Sequence, residues 1–326
     1  MRVILPFFLA NITFSGFTSA DPLLAVLDKT VDLSTFSSLI QKTGGSKPNP
    51  ALFERFNSAL DNRNYTAFVP TNSAFETISP SILTTLSLPQ NYELLLSIIR
   101  THLAEGLFSS SQLEADAPIL SIEGFPILFT NDSSTILEIS NIAADNGQIQ
   151  KLSKVLNPYT EYFGVSNLTK APSTGTNVTG TMKDVLASDR RLSILNIVLG
   201  VIDPEYLTRL SLTKPGNASQ VFFAPSNYAF SALPNGARDS MTAPSNALLS
   251  AYLLRYGLLA GDTKSADISP GMQVMSVSFL EMRIKQAEAD AVVMINNAGV
   301  VERDLCAENG CIWVLDRLID PLFGAF

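Results

Sequence analysis

The amino-acid sequence predicts an α+β protein built from two tandem domains of the same fold. Three observations carry this reading. The chain has 326 residues, which leaves room for about two domains of 100–200 residues each. It repeats itself in order along its length. Within each repeat, helical patterning comes first and strand patterning follows, the order of an α+β domain and not of alternating βαβ units.

The repeat emerges when the chain is aligned with itself. Thr66-Ala-Phe-Val-Pro-Thr-Asn-Ser-Ala-Phe75 returns as Val221-Phe-Phe-Ala-Pro-Ser-Asn-Tyr-Ala-Phe230, so Pro70, Asn72 and Phe75 fall on Pro225, Asn227 and Phe230. The same offset sets Ile98–Gly106 on Leu253–Gly261. Near the end of each copy, Asn146-Gly147 and Pro158 fall on Asn309-Gly310 and Pro321, after a short insertion in the second copy. Upstream, Val31-Asp-Leu-Ser34 matches Arg190-Arg-Leu-Ser193. Matches that keep their order at nearly constant offset define two copies, 21–165 and 178–326. Residues 166–177 form the linker, part of a Thr-, Ser-, Gly- and Asn-rich stretch, Ser166–Gly180, that reads as exposed and flexible.

Each element follows from local pattern. Val26, Leu27, Leu33, Phe36 and Leu39-Ile40 are spaced for one helical face or two short helices. Thr66–Val69 reads as a short strand stopped by Pro70. Thr71 or Asn72 is placed to cap the next helix, and Ser73 with Glu76 has capping-box spacing. Leu95, Ile98, Ile99 and His102 share one helical face. In the second copy Met275, Val277 and Phe279 alternate with Ser276 and Ser278, and Met282–Lys285 alternates too, as in half-buried strands. Ala291–Ile295 is apolar enough for a core strand. Asn146-Gly147 and Asn309-Gly310 each signal a hairpin turn.

At the N-terminus, Met1-Arg2, the apolar run Val3–Leu9 and the small residues Thr18-Ser19-Ala20 read as a secretory signal peptide over residues 1–20. No later segment offers the ~18 uninterrupted apolar residues of a membrane span. The most apolar stretch, Leu192–Ile202, is broken by Ser193 and Asn196 and stops at Asp203-Pro204. Export makes the Asn-x-Ser/Thr sequons at Asn64, Asn131, Asn167, Asn177 and Asn217 candidate N-glycosylation sites.

Composition narrows function further. Asp and Glu number 30 against 22 Lys and Arg, which argues against nucleic-acid partners. One histidine and two cysteines exclude a histidine-rich metal centre and a disulfide framework. No Gly-rich phosphate loop is present, and Asp61–Asn64 fails the EF-hand pattern because Thr66 stands where glycine is needed. No metal or other cofactor is expected.

The residues that could carry chemistry are few. A Ser-His-Asp or Cys-His device would have to use His102, but there is no Gly-x-Ser-x-Gly elbow and the second copy has Gly257 in its place. His102 is therefore read as a structural histidine bonded to a nearby backbone or hydroxyl group. In an exported chain without other thiols, Cys306 and Cys311 are expected to bridge across the intervening turn, two free thiols or an intermolecular bridge being the alternatives. Glu302, Asp304 and Glu308 surround the cysteines and read as a solvated hairpin, a weak calcium contact being the sharper alternative.

Taken together, these motifs resemble the fasciclin-like family (FAS1, beta-Ig-H3). Its first motif is matched by Thr66–Phe75 and Val221–Phe230. Its central Tyr-His motif is split between the copies, as Thr101-His102 and Tyr256-Gly257. Its closing motif is matched by Asn309–Pro321 and, less closely, by Asn146–Pro158. The resemblance implies a compact domain, a β-wedge or sandwich with a helical layer, and an extracellular adhesion or matrix role. In some animal members an Asp-Ile pair before the last Asn-Gly contributes to integrin binding. Asp304-Leu305 occupies that place in the second copy and is the candidate binding pair; the first copy has Asn141-Ile142, without the carboxylate. The expectation is a secreted, non-enzymatic adhesion or interaction protein of a cell surface, cell wall or matrix, with proteins and glycans there as partners. The alternatives are an extracellular hydrolase or lipid-handling protein, and a vacuolar-lumen protein of membrane traffic.

Overall fold

The structure, a computed structural model, describes residues 21–43, 50–57, 63–109, 113, 119–127, 129, 137–212, 220–234, 237–286 and 292–324. The expected signal peptide and the sequons at Asn131 and Asn217 lie outside the described residues.

The first copy opens with α1 (Leu23–Lys29), a 3-10 turn at Val31–Leu33, α2 (Ser34–Thr43) and α3 (Pro50–Asn57). The apolar spacing of α1 and α2 turns Leu23, Leu27, Phe36 and Ile40 into the core. Then come β1 (Tyr65–Pro70), α4 (Asn72–Glu76), α5 (Pro80–Leu86), α6 (Tyr92–Thr101) and β2 (Leu103–Glu105). A small ribbon, β3 (Ile119–Leu120) with β4 (Pro126–Ile127), precedes the hairpin β5 (Leu137–Ala144) and β6 (Gly147–Leu152). The copy closes with α7 (Pro158–Phe163), whose Pro158 sits in the first turn, where its missing N–H leaves nothing unsatisfied.

The connector contributes β7 (Ser173–Thr174). The second copy repeats the plan with α8 (Met182–Ser188), a 3-10 turn at Arg190–Leu192, α9 (Ser193–Ile202), α10 (Pro204–Arg209), β8 (Val221–Pro225), α11 (Asn227–Ser231), α12 (Ala237–Thr242) and α13 (Ala247–Tyr256). Its strands are β9 (Gln273–Met275), β10 (Glu281–Gln286), β11 (Val293–Ile295), β12 (Ala298–Ala307) and β13 (Gly310–Leu315).

The first sheet has the order β2-β1-β6-β5, and the second runs β8-β13-β12-β11-β10-β9, with β7 added beside β12. In both, the motif strand lies parallel to the last strand: β1 to β6 from Tyr65↔Gly147 to Pro70↔Leu152, and β8 to β13 from Cys311↔Val221 to Leu315↔Pro225.

The repeated asparagines hold this plan together. Asn72 accepts from Thr35 N (2.9 Å) and donates to Val31 O (3.0 Å) and Ser34 Oγ (3.1 Å). Asn227 accepts from Ile194 N (2.9 Å) and donates to Arg190 O (2.8 Å) and Ser193 Oγ (3.0 Å). Each asparagine thus ties its motif strand's exit to the start of the second helix. Asn146 accepts from Leu23 N at 2.7 Å and donates to Arg55 O at 2.7 Å. Asn309 likewise accepts from Met182 N at 2.8 Å and donates to Leu210 O at 2.8 Å. Such side-chain bonds satisfy backbone groups that helix ends leave open.

Several local readings are corrected. The hairpin loops are Asp145-Asn146 and Glu308-Asn309, because Ala144 pairs with Gly147 and Ala307 with Gly310. Each glycine is the first strand residue, not the second loop residue. It is required by close approach: a β-carbon on Gly147 would stand 1.9 Å from Tyr65 O, and one on Gly310 2.5 Å from Gln220 O. The Met275–Phe279 alternation is no continuous strand. β9 ends at Met275 and the chain turns, with Phe279 at φ +60°. Ser276 and Ser278 are buried while Met275 and Phe279 are exposed, the inverse of the hydropathy pattern. At α4, Thr71 makes no side-chain cap bond and pairs with Ser73 Oγ instead; only its counterpart Ser226 caps, from Ala229 N at 3.4 Å.

The 166–180 stretch is exposed at most of its positions but strapped to the second sheet. Ser173 and Thr174 pair with Glu302 and Arg303, Gly175 N donates to Arg303 O (2.6 Å), and Val178 N to Cys306 O (2.7 Å). The flexible-linker expectation fails because β12 has backbone groups on that edge, and an adjacent extended chain satisfies them.

The two copies share one continuous core. Helix α6 packs against α13, its own counterpart, and Tyr252 OH donates to Asn91 Oδ1 at 2.8 Å. Asn157 Nδ2 donates to Asp320 Oδ2 at 2.9 Å, and these two also hold equivalent positions before Pro158 and Pro321. The relation is reciprocal, as about a local two-fold axis. Ser81 and Ile82 of α5 lie beside Phe279 and Leu280, and Ala237 and Met241 of α12 lie beside Phe125 and Tyr159.

Candidate functional site

The candidate binding pair sits on the hairpin of β12 and β13. The register shifts between Glu302 and Leu305, and Asp304 takes φ +62° in that bulge. Its counterpart Asn141 has φ +38° at the matching irregularity in β5. Asp and Asn tolerate this left-handed conformation better than most residues. Ser265 Oγ donates to Asp304 Oδ1, and Trp313 Nε1 donates to Ser265 Oγ at 2.6 Å. Leu305 is 7% exposed and lies under the connector, where a β-carbon on Gly175 would come within 2.9 Å of its Cα. In this bulge the apolar member of the pair is covered, and the carboxylate accepts from Ser265, which in turn accepts from Trp313.

The other acidic neighbours diverge. Glu302 pairs with Arg191, and Glu308 Oε1 accepts from Gly180 N at 3.3 Å. Among the described residues no group of three or more His, Cys, Asp or Glu is placed to hold a metal ion. Cys306 and Cys311 are disulfide-bonded directly across the hairpin, with Cα atoms 4.0 Å apart.

His102 ends α6 fully buried, its Nδ1 2.7 Å from Ile98 O and its Nε2 accepting from Leu156 N at 3.0 Å. These partners place the proton on Nδ1. Burial holds the imidazole down at about 4, against the smaller upward pull of the Ile98 bond, so it is neutral at neutral pH. No nucleophile is bonded to it: both ring nitrogens serve backbone groups. In the second copy there is no room for a side chain at this point, since a β-carbon on Gly257 would meet Phe223 O at 2.3 Å.

One further carboxylate is buried between the copies. Glu123, with its side chain 4% exposed, stands 3.7 Å from Arg100 Nη1. Together with Phe125, Tyr159, Leu249 and Ser250 it lines a small cavity of about 20 Å³. Burial pushes its carboxyl up to about 7, with Arg100 and Ser97 opposing. The counterpart position holds Ser278.

A groove of the second copy lies elsewhere, where the connector crosses α11 and the sheet. This groove of about 550 Å³ is lined by Asn167, Leu168, Arg190, Arg191, Ser226, Asn227, Tyr228, Val301, Val314 and Asp316. Val314 and Asp316 are buried at its base, whereas Tyr228 is 57% and Val301 37% exposed. Asp316 is satisfied by Ser166 Oγ and Gly299 N, both at 2.7 Å. The repeated motifs do not mark this groove as a site. Its signal is in the differences between copies: Tyr228 and Val301 stand where the first copy has Ser73 and Glu138.

Of the sequons within the described residues, Asn64, Asn167 and Asn177 are all exposed. No described helix is long and apolar enough to cross a membrane.

The chain is similar to several known proteins. The chain is 25% identical over 261 residues to the rabbit (Oryctolagus cuniculus) transforming growth factor-beta-induced protein ig-h3, covering 80% of this chain and 33% of that protein. It thus spans about a third of that relative's length. A Synechocystis protein, sll1483, is 32% identical over 141 residues, 43% of this chain and 73% of its own. Human periostin is 24% identical over 257 residues, 79% of this chain and 27% of its own. Among solved structures, a FAS1 domain pair from the insect cell adhesion molecule fasciclin I aligns with 88% of this chain and 96% of its own, at 16% identity and a TM-score of 0.33. The fasciclin domain model matches residues 31–158 and again 207–321, and the chain belongs to the fasciclin domain family, with two copies in tandem.

Proposed function

We propose that this chain is exported and acts as an adhesion or interaction protein at a cell surface, cell wall or extracellular matrix, binding proteins and glycans there. The observation that carries the reading is the fasciclin match over both copies. The motif residues are engaged in the fold: Asn72, Asn227, Asn146 and Asn309 bracket helices, and His102 is buried. Contact with partners then falls to exposed faces on which the copies differ. On α9, Ile197 is 64% and Val201 73% exposed, where the first copy presents Ser38 and Lys42. Exposed apolar side chains grouped on one helix face are a common mark of an interaction surface. Because the copies share a core, they present their faces at fixed geometry instead of as independent beads, which limits multivalent binding to partners whose spacing fits.

The test is binding of the purified chain to cells, wall polysaccharides and matrix proteins, beside the double variant Ile197→Glu, Val201→Lys. Saturable binding that weakens about tenfold in a variant of unchanged melting, equivalent to ~1.4 kcal/mol, supports the reading. Absence of binding to every surface, or turnover of an ester or glycan panel that is lost in a His102→Asn variant, overturns it.

A further inference from the structure

The groove beside the connector contains its own candidate occupant. Asn167 begins the sequon Asn167-Leu168-Thr169, is exposed, and lines the same groove as Tyr228, Val301 and Leu168. We propose that the N-glycan carried by Asn167 lies in this groove, with its first sugars packed on the Tyr228 ring and the Val301 side chain. This rests on the reading that the chain is exported, since only the secretory pathway attaches such a glycan.

Four observations converge. The volume of about 550 Å³ falls within the ~300–1,000 Å³ of small-ligand sites. The lining is mixed in the way a pyranose requires: the Tyr228 ring, which carries the Arg317 guanidinium at 5.3 Å on one face, and aliphatic side chains for its C–H face, with the Arg190 guanidinium, without a side-chain partner among the described residues, nearby for its hydroxyls. Charge does not obstruct a neutral sugar, because Asp316 is satisfied within the fold and Arg191 is held by Asp189 and Glu302. Finally, the residues that wall the groove are particular to the second copy. At the corresponding place in the first copy, Asp32 and Lys151 form an ion pair at 2.6 Å, and Ser73 replaces the tyrosine. Tethering supplies the binding partner at high effective concentration, so weak stacking suffices to hold it.

The experiment compares glycan release at Asn167 and Asn177 in the native, folded chain secreted from a eukaryotic host. Peptide-N-glycosidase is the probe, and occupancy at each asparagine is read by peptide mass spectrometry. Release from Asn167 is expected to be about tenfold slower than from Asn177, the factor that ~1.4 kcal/mol of sugar contact gives. Denaturation should abolish the difference. Tyr228→Ser, which installs the residue the first copy uses, should bring the two rates together. Independently, 1-anilinonaphthalene-8-sulfonate should bind the chain carrying Asn167→Gln and not the glycosylated chain. Equal native release rates, a glycan at Asn177 with none at Asn167, or dye binding unaffected by the glycan each overturn the proposal alone. Retention of the chain in the cell without glycan at any sequon overturns the export reading as well.

Discussion

Replacing Glu123 by Gln tests whether the seam between the copies is governed by one buried carboxyl. The side chain is 4% exposed and has one cationic partner, Arg100 Nη1, at 3.7 Å. Burial, the largest cause, raises its carboxyl from an ordinary 4.5 to about 7. Glu93, Arg100 and Ser97 act on it from α6, Tyr159 faces it from α7, and α12 and α13 offer Met241, Leu249, Ser250 and Leu253 around the shared cavity. A carboxyl whose folded value is raised binds more protons folded than unfolded between the two values. Stability then falls as pH rises through that window, and the penalty is complete above about 7. At 1.36 kcal/mol per pH unit the full penalty is about 3 kcal/mol. Gln keeps the shape and a carbonyl acceptor but cannot ionise. The variant should match the native chain near pH 4.5 and exceed it by up to about 3 kcal/mol near pH 8. Guanidinium unfolding midpoints at several pH values, with slopes checked for a single transition, measure the difference. A gap that does not change with pH, or a variant less stable at pH 8, would refute the reasoning.

Other perturbations follow from the same geometry. His102→Ala removes the acceptor of Leu156 N–H and opens a cavity, so stability at pH 7 should drop by about 3 kcal/mol. Because the native imidazole is held down at about 4, the native chain loses stability as pH falls from about 6.5 to 4, and the gap to the variant should narrow over that range in the same denaturant titration. Asn227→Ala breaks three bonds at the start of α9 and should cost about 2–3 kcal/mol; Asn72→Ala should cost a similar amount, visible in calorimetry as matched losses. Replacing both Cys306 and Cys311 by Ser opens a small loop and should cost only about 2 kcal/mol, leaving the chain folded by circular dichroism. Gly147→Ala drives a methyl group to within 1.9 Å of Tyr65 O and should prevent soluble expression, while Gly124→Ala, with nothing within 4 Å of the added carbon, pays only for its positive φ.

What was legible in the sequence is what repeats. The motif asparagines, the glycines at the close of each hairpin and the prolines stand at the same place in both copies because local geometry requires them there. Their positions could be read, though not their exact role: Gly147 and Gly310 look like loop residues until the parallel neighbour strand is seen pressing on them. The apolar spacing of α1, α2 and α6 was readable because helical periodicity is local. The turn at Phe279 was not, since burial of Ser276 and Ser278 is set by strands and helices distant in sequence. Neither was Glu123, whose cavity is lined by residues of both copies. Asp304-Leu305 shows the opposite case. A motif position was transferable, but the connector that covers Leu305 is supplied by another part of the chain. The groove at Tyr228 escaped because it is a difference between the copies, and motif matching looks for likeness.

The pairing of β7 with β12 changes where this chain can be cut. A fragment beginning at residue 178 keeps every fasciclin motif of the second copy, yet it strips a strand from β12 and uncovers Leu305. The bared edge at Glu302 and Arg303 would be free to recruit another chain, and such fragments are expected to self-associate. One starting at Gly164 keeps Ser166 against Asp316 and Ser173 against Glu302. A cut upstream of the repeat, inside what the sequence presents as spacer, is therefore the one expected to give a second copy that stays monomeric.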